Sequence, residues 1–182
     1  MIKSFLLGIV SVLGLLMLIT FMLPSDYKVE AEVTIEATPK EVFPHINTLR
    51  LWESWAFAEM DSSQLASIQY KGIEEGVGSL LTWDQGEQGN GRLEIVTSIP
   101  YEKVEVVMSI NDGSFVNQGT FILTPSEEGT KLLWEEKGDF GFNLLARGYA
   151  LLSDFDENMK AQYTEALKLL KNEVEQKKES EQ

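Results

Sequence analysis

The chain has 182 residues, no cysteine and a formal net charge of −14. That fits one domain with an appendage and excludes disulfides and thiolate metal sites. After Leu23 there are 14 basic and 29 acidic residues, a net charge of −15, which disfavours nucleic acid and anionic headgroups as partners.

The appendage comes first. Ser4 to Leu23 is uncharged, begins after Lys3 and ends at Pro24. As a helix it would be roughly 30 Å long, the thickness of a bilayer's apolar core. No Ala-x-Ala-like cleavage site follows, so residues 1–24 are expected to be a retained transmembrane anchor rather than a signal peptide. Lys3 is the only charge before the span, which places the N-terminus in the cytoplasm and the domain outside it.

Tyr27–Glu36 alternates Val29, Ala31, Val33 and Ile35 with polar residues, the period of a half-buried strand. Thr38-Pro39-Lys40-Glu41 carries the signals of a helix start, and Val42, Phe43 and Ile46 give that helix its apolar face. Pro44 keeps it short. A second short helix is expected over Leu49 to Trp55, followed by a loop from Ala56 to Ala66. Six strands follow at Ser67–Lys71, Ser79–Asp84, Gly91–Ile99, Glu102–Ile110, Phe115–Thr124 and Thr130–Phe140, with short turns that build an antiparallel meander. From Asn143 to about Glu175 apolar residues recur at helical spacing, with Gly148 and Ser153-Asp154 as possible breaks. Beyond Lys171 the sequence is charged and is expected to fray, leaving residues 176–182 as a solvated tail.

A seven-stranded sheet with one apolar face needs a cover, and only the C-terminal helix is long enough. The expected architecture is therefore α+β: a curved antiparallel sheet wrapped on a long C-terminal helix, with two short helices after the first strand and an N-terminal transmembrane helix. The domain is expected over residues 25–175.

The order of these elements resembles the SRPBCC or START-like superfamily, in particular its polyketide cyclase/dehydrase and lipid-transport branch. Ala37-Thr38-Pro39 before Glu41-Val42-Phe43, Leu51-Trp52-Glu53-Ser54-Trp55, Glu59-Met60-Asp61, Gly76-Val77-Gly78-Ser79 with Trp83, and Gly119-Thr120-Phe121 carry the resemblance. Gln162-Tyr163 and Ala166 depart from the Asp-Phe pair and glycine often found in the last helix. The resemblance implies a helix-grip fold with a cavity between sheet and helix that accepts an apolar ligand. Its members include carriers, enzymes and protein-binding modules.

The residues themselves offer little covalent chemistry. His45 is the only histidine and has no second ligand at metal spacing, so no metal or other cofactor is expected. No nucleophile elbow exists, and Gly86 to Gly91 lacks the Lys-Ser/Thr of a phosphate loop. Glu136 is the candidate acid–base residue, because alternation puts it on the face of Leu132 and Trp134; Asp156 invites the same question. Pairing of Glu136 with Arg147, or a turn towards water at the strand end, would leave it structural. The expected cavity lining is Trp55, Trp83, Ile95, Met108, Phe121, Trp134, Glu136, Phe155, Met159 and Tyr163. Trp52 and Trp55 either form a mobile rim with the loop after them or anchor their helix to the sheet. The leading functional expectation is a membrane-tethered binding domain for an apolar or amphipathic small molecule, without covalent chemistry. A protein-interaction module and a cyclase- or dehydratase-like enzyme using Glu136 are the alternatives.

Overall fold

The computed structural model describes residues 2–86 and 89–180. Helix α1 (Ile2–Met22) leads into β1 (Asp26–Ile35), α2 (Pro39–Asn47), a 3-10 turn (Leu49–Ser54) and α3 (Ser62–Ala66). Six strands follow: β2 (Ile68–Gly72), β3 (Ser79–Asp84), β4 (Asn90–Ile99), β5 (Lys103–Ile110), β6 (Phe115–Ser126) and β7 (Gly129–Asp139). The chain ends in α4 (Leu144–Leu152) and α5 (Phe155–Ser180). The strands form one antiparallel sheet in the order β1-β7-β6-β5-β4-β3-β2. Only β1 leaves the meander, crossing to the outer edge of β7 in the register Asp26↔Asp139 to Ile35↔Thr130. This is the helix-grip architecture, and every strand lies within two residues of its predicted range.

The grip is built from one stripe of α5. Tyr163, Leu167, Leu170 and Val174 are buried at spacings of four, three and four, the face of a helix that meets a sheet. Towards its end α5 is held by three polar ties to the close of β1. The Glu36 N–H donates to Glu175 Oε1 at 2.7 Å, and Lys171 and Lys178 donate to the Thr34 and Glu36 carbonyls at 2.8 and 2.6 Å. The charged stretch beyond Lys171, expected to fray, is therefore helical through Ser180.

Two further elements differ from expectation. The segment Ala56–Ala66 contains α3, started by Asp61, whose carboxylate accepts from the Ser63 and Gln64 N–H groups while Gln64 accepts from Asp61 N–H. The expected single C-terminal helix is two, divided where Asp154 takes the left-handed conformation at φ +48°. The Ser153-Asp154 pair makes the break, and Gly148 stays inside α4.

Helix α1 spans 21 residues with Lys3 its only charge. Among the described residues no helix is long and apolar enough to cross a membrane. The side chains of residues 2, 4, 5, 7, 13 and 16, on which the expected span also rests, lie outside the described ones, as do Glu87 and Gln88 of the expected turn.

Candidate functional site

The lower half of α5 packs tightly on the sheet, but its first turns stand away from it. Between them and strands β4 to β7 lies a cavity of about 560 Å³. A side pocket of about 190 Å³ shares Phe57, Met60, Leu93 and Met108 with it and ends at Trp83. The lining is aliphatic and aromatic, with Asn117, Asn143 and Glu136 the principal polar exceptions. Glu136 is the one ionisable acid, and no lysine, arginine or histidine lines the cavity among the described residues.

The floor is set by strand register. Glu136 on β7 lies opposite Gly119 of β6 and Val29 of β1, and its side chain enters the cavity on the face of Leu132 and Trp134. Asn117, two residues before Gly119, donates from Nδ2 to Glu136 Oε1 at 2.5 Å. The Tyr163 hydroxyl reaches the same carboxyl from α5, and its ring stacks on Trp134 with centroids 4.1 Å apart. Burial pushes the Glu136 carboxyl above the usual glutamate range, against the opposing effects of the Tyr163 and Asn117 hydrogen bonds. A group surrounded by apolar side chains resists becoming charged. Burial also raises Tyr163, and Glu136 next to it adds to the shift. Tyr27 is pushed up to about 12, again chiefly by burial.

Two glycines give the aromatic groups their room. Tyr27 lies across Gly138, its cross-strand partner, and a Cβ on Gly138 would sit 2.4 Å from the tyrosine ring. A Cβ on Gly119 would meet Val106 at 2.9 Å and the Trp134 indole nitrogen at 3.6 Å. That indole N–H is buried without a hydrogen-bond partner. Beyond Tyr27 the rings of Phe115, Phe140 and Phe155 form one cluster, with Phe140 5.1 Å from Tyr27 and 5.5 Å from Phe155.

Of the predicted lining, Met108, Trp134, Glu136, Phe155, Met159 and Tyr163 meet in the main cavity, and Trp83 closes its side pocket. Trp55, Ile95 and Phe121 do not line it: they are at most 1% exposed and belong to the packed core. Trp55 and Trp52 donate their indole N–H groups to the His45 and Ile46 carbonyls at 3.2 and 3.0 Å. They thereby satisfy carbonyls that the C-terminal end of α2 leaves unpaired. They anchor that helix rather than form a mobile rim, although the Trp52 ring also contributes to the cavity wall. Asn117 and Tyr27 also line the cavity, which the sequence reading missed.

Glu136 does not pair with Arg147, which donates instead to the Gly141 and Leu23 carbonyls. Asp156 lies outside the main lining, and its charge is the smallest of the influences named on Tyr27. His45 is buried at the far end of the domain, with Nδ1 3.1 Å from Glu173 Oε1 but without the alignment of a formed hydrogen bond. Its pKa is lowered by burial, which the Glu173 charge partly offsets. Among the described residues no group of side chains is arranged to hold a metal ion.

The same architecture is found in solved structures. A protein of unknown function from Staphylococcus aureus aligns with a TM-score of 0.63 at 13% identity, covering 86% of this chain and 98% of its own. A protein from Chromobacterium violaceum aligns at 0.54 with 16% identity, covering 81% and 96%. Ara h 8.0201 aligns at 0.53 with 12% identity, covering 82% and 97%. At these identities the likeness is one of fold alone. No curated protein matches the sequence. Residues 26–175, from the first strand to the last helix that closes the cavity, match the family described as polyketide cyclase / dehydrase and lipid transport, and the chain belongs to that family.

Proposed function

We propose that this chain is a membrane-tethered binding domain that holds an apolar or amphipathic small molecule between sheet and α5, without covalent chemistry. The observation that carries the reading is the cavity itself. Its volume of about 560 Å³ falls within the roughly 300–1,000 Å³ of small-molecule sites, and its wall is apolar with a few convergent polar groups. The family description, which includes lipid transport, supports the same class of ligand. With one carboxyl and no cation on the described wall, an anionic head would be buried without a countercharge, a costly arrangement. The head that fits is neutral or cationic and donates a hydrogen bond to Glu136.

The tether is α1. Its described apolar side chains, Val10, Leu15, Leu18 and Phe21 among them, are exposed, and 21 helical residues extend about 32 Å, enough for a bilayer core. Lys3 favours a cytoplasmic N-terminus and an extracytoplasmic domain.

Native mass spectrometry of the full chain released from detergent micelles tests the reading. Incubation with equal amounts of dodecanol, dodecylamine and dodecanoate should give adducts of the first two, at least tenfold over dodecanoate. Met159→Trp, which fills the cavity, should abolish them. A wild-type spectrum without any adduct sinks the reading and favours an interaction module.

Glu136 supports a second reading, a cyclase- or dehydratase-like enzyme in which its carboxyl donates and recovers a proton. A Glu136 pKa near the ordinary value of about 4.3, measured by NMR, would exclude it.

A further inference from the structure

The cavity is closed at one end by α4, and that helix has two unlike faces. Ala146 lines the cavity, as does the exposed N-cap residue Asn143 just before the helix. Phe142, Leu145, Tyr149 and Leu152 face outwards, 85%, 87%, 68% and 85% exposed. Within α4 the spacings of four and three from Leu145 to Leu152 make an apolar stripe, and Phe142 stands in the turn before the helix. Bare apolar patches of this kind on a folded domain mark a contact surface.

The position of α4 says what covers it. Thr20 of α1 packs where Gly148 leaves space, 3.5 Å from the place of its missing Cβ. Arg147 reaches from α4 to the Leu23 carbonyl at 3.0 Å, just past the end of α1. The exposed stripe thus lies on a helix that packs beside the end of α1, whose own described apolar side chains are exposed. The charged residues that flank α4 in the chain, from 139 to 157, are Asp139, Asp154, Asp156 and Glu157, while Arg147 within it is already engaged by backbone carbonyls. An acidic rim repels anionic headgroups but leaves insertion of the apolar stripe into neutral lipid unopposed.

We propose that α4 is a second membrane contact, lying in the headgroup boundary of a neutral bilayer as the flap between that bilayer and the cavity. The inference rests on the tether reading of α1. Left-handed backbone at Gly141, φ +55°, and Asp154, φ +48°, bounds the flap at both ends. A ligand leaving the bilayer under α4 would pass Ala146 and Phe155 into the cavity without crossing water.

The chain has no cysteine, so single cysteines can carry an environment-sensitive fluorophore. Leu145→Cys, Leu152→Cys, Leu15→Cys in α1 and Val116→Cys on the exposed side of β6 are labelled in the full chain. Each is reconstituted into phosphatidylcholine vesicles and quenched with brominated lipid or aqueous iodide. Positions 145 and 152 should be quenched at least twofold by brominated lipid and shielded from iodide, with position 116 the reverse. If 145 and 152 behave like 116, the inference is overturned, and quenching at 15 alone shows that the tether survives it. Quenching at 145 and 152 but not at 15 keeps the α4 contact and removes the tether. Shielding from iodide without quenching by lipid means that protein covers the stripe, and also overturns the proposal. For the flap, the double variant Leu145→Asp/Leu152→Asp should slow transfer of N-phenyl-1-naphthylamine from vesicle to cavity about tenfold, with its equilibrium affinity changed less than twofold. An unchanged rate removes that role.

Discussion

Glu136 is a carboxyl that the fold would rather keep protonated, and this gives it a signature in stability. Its folded pKa is raised by burial, so the native state holds the proton more tightly than the unfolded chain. Stability is then greatest below the ordinary glutamate range and falls as pH rises through the folded pKa. Urea midpoints at pH 4 and pH 8 should show the wild type losing stability relative to Glu136→Gln; equal changes in both proteins would refute the linkage. Tyr163→Phe should cost about 1 kcal/mol through the lost hydrogen bond and move the Glu136 titration still higher, because that bond favours the charged form. Alternation along β7 made Trp134 and Glu136 legible from sequence. Ile95 and Phe121 were assigned to the cavity for the same reason, and Trp55 as a residue of its rim, yet all three are core. Alternation reports which face a residue occupies, not how far the covering helix stands from that face. Asn117 had a usable signal: it is a polar residue at an inward position between Phe115 and Gly119, and such a residue needs a partner.

Among the elements, α2 depends on the two tryptophans that follow it. Trp55→Phe retains much of the packing but leaves the His45 carbonyl without its donor, and should destabilise the domain by about 1–3 kcal/mol in a urea titration. At the other end of the chain, the lysine ties of α5 are accessible to hydrogen exchange. Lys171→Met with Lys178→Met should lower amide protection over residues 172–180 while leaving the β6 and β7 amides unchanged. Equal protection would mean that α5 packing and the Glu175 tie hold the tail without the lysines. These ties join positions 137 and 142 residues apart, which is why the local charge of the tail suggested fraying. Helix α3 escaped notice for a different reason: its start signal, Asp61 with Gln64, stands in a polar segment without apolar periodicity.

For the molecule as a whole, the two halves of α5 divide the work. Leu167, Leu170 and Val174 are buried against the sheet, whereas Phe155 and Met159 border the cavity. Leu170→Ala should cost about 2–5 kcal/mol, measured by thermal or urea unfolding, and a cavity-side Met159→Ala distinctly less, because the void is already present. Equal losses would show that the cavity is closed in solution. The sheet order and helix grip were readable because hydrophobic period and turn residues agree along the chain. The stand-off of α5 was not readable, since it follows from the separation of layers rather than from any local pattern.

Arg147 has a consequence for how the domain moves. Its guanidinium engages the carbonyls of Leu23, at the end of α1, and Gly141, before α4, while only Pro24 and Ser25 separate Leu23 from β1. These contacts and the short spacer restrict swivelling between α1 and the domain. Were α1 held in a lipid sheet, as proposed, such a body would spin about it and drift sideways with little tipping, so that each lateral step would present the same side of the cavity to the same leaflet. Its search would then be planar, and its meeting rate would be set by surface density rather than by bulk concentration.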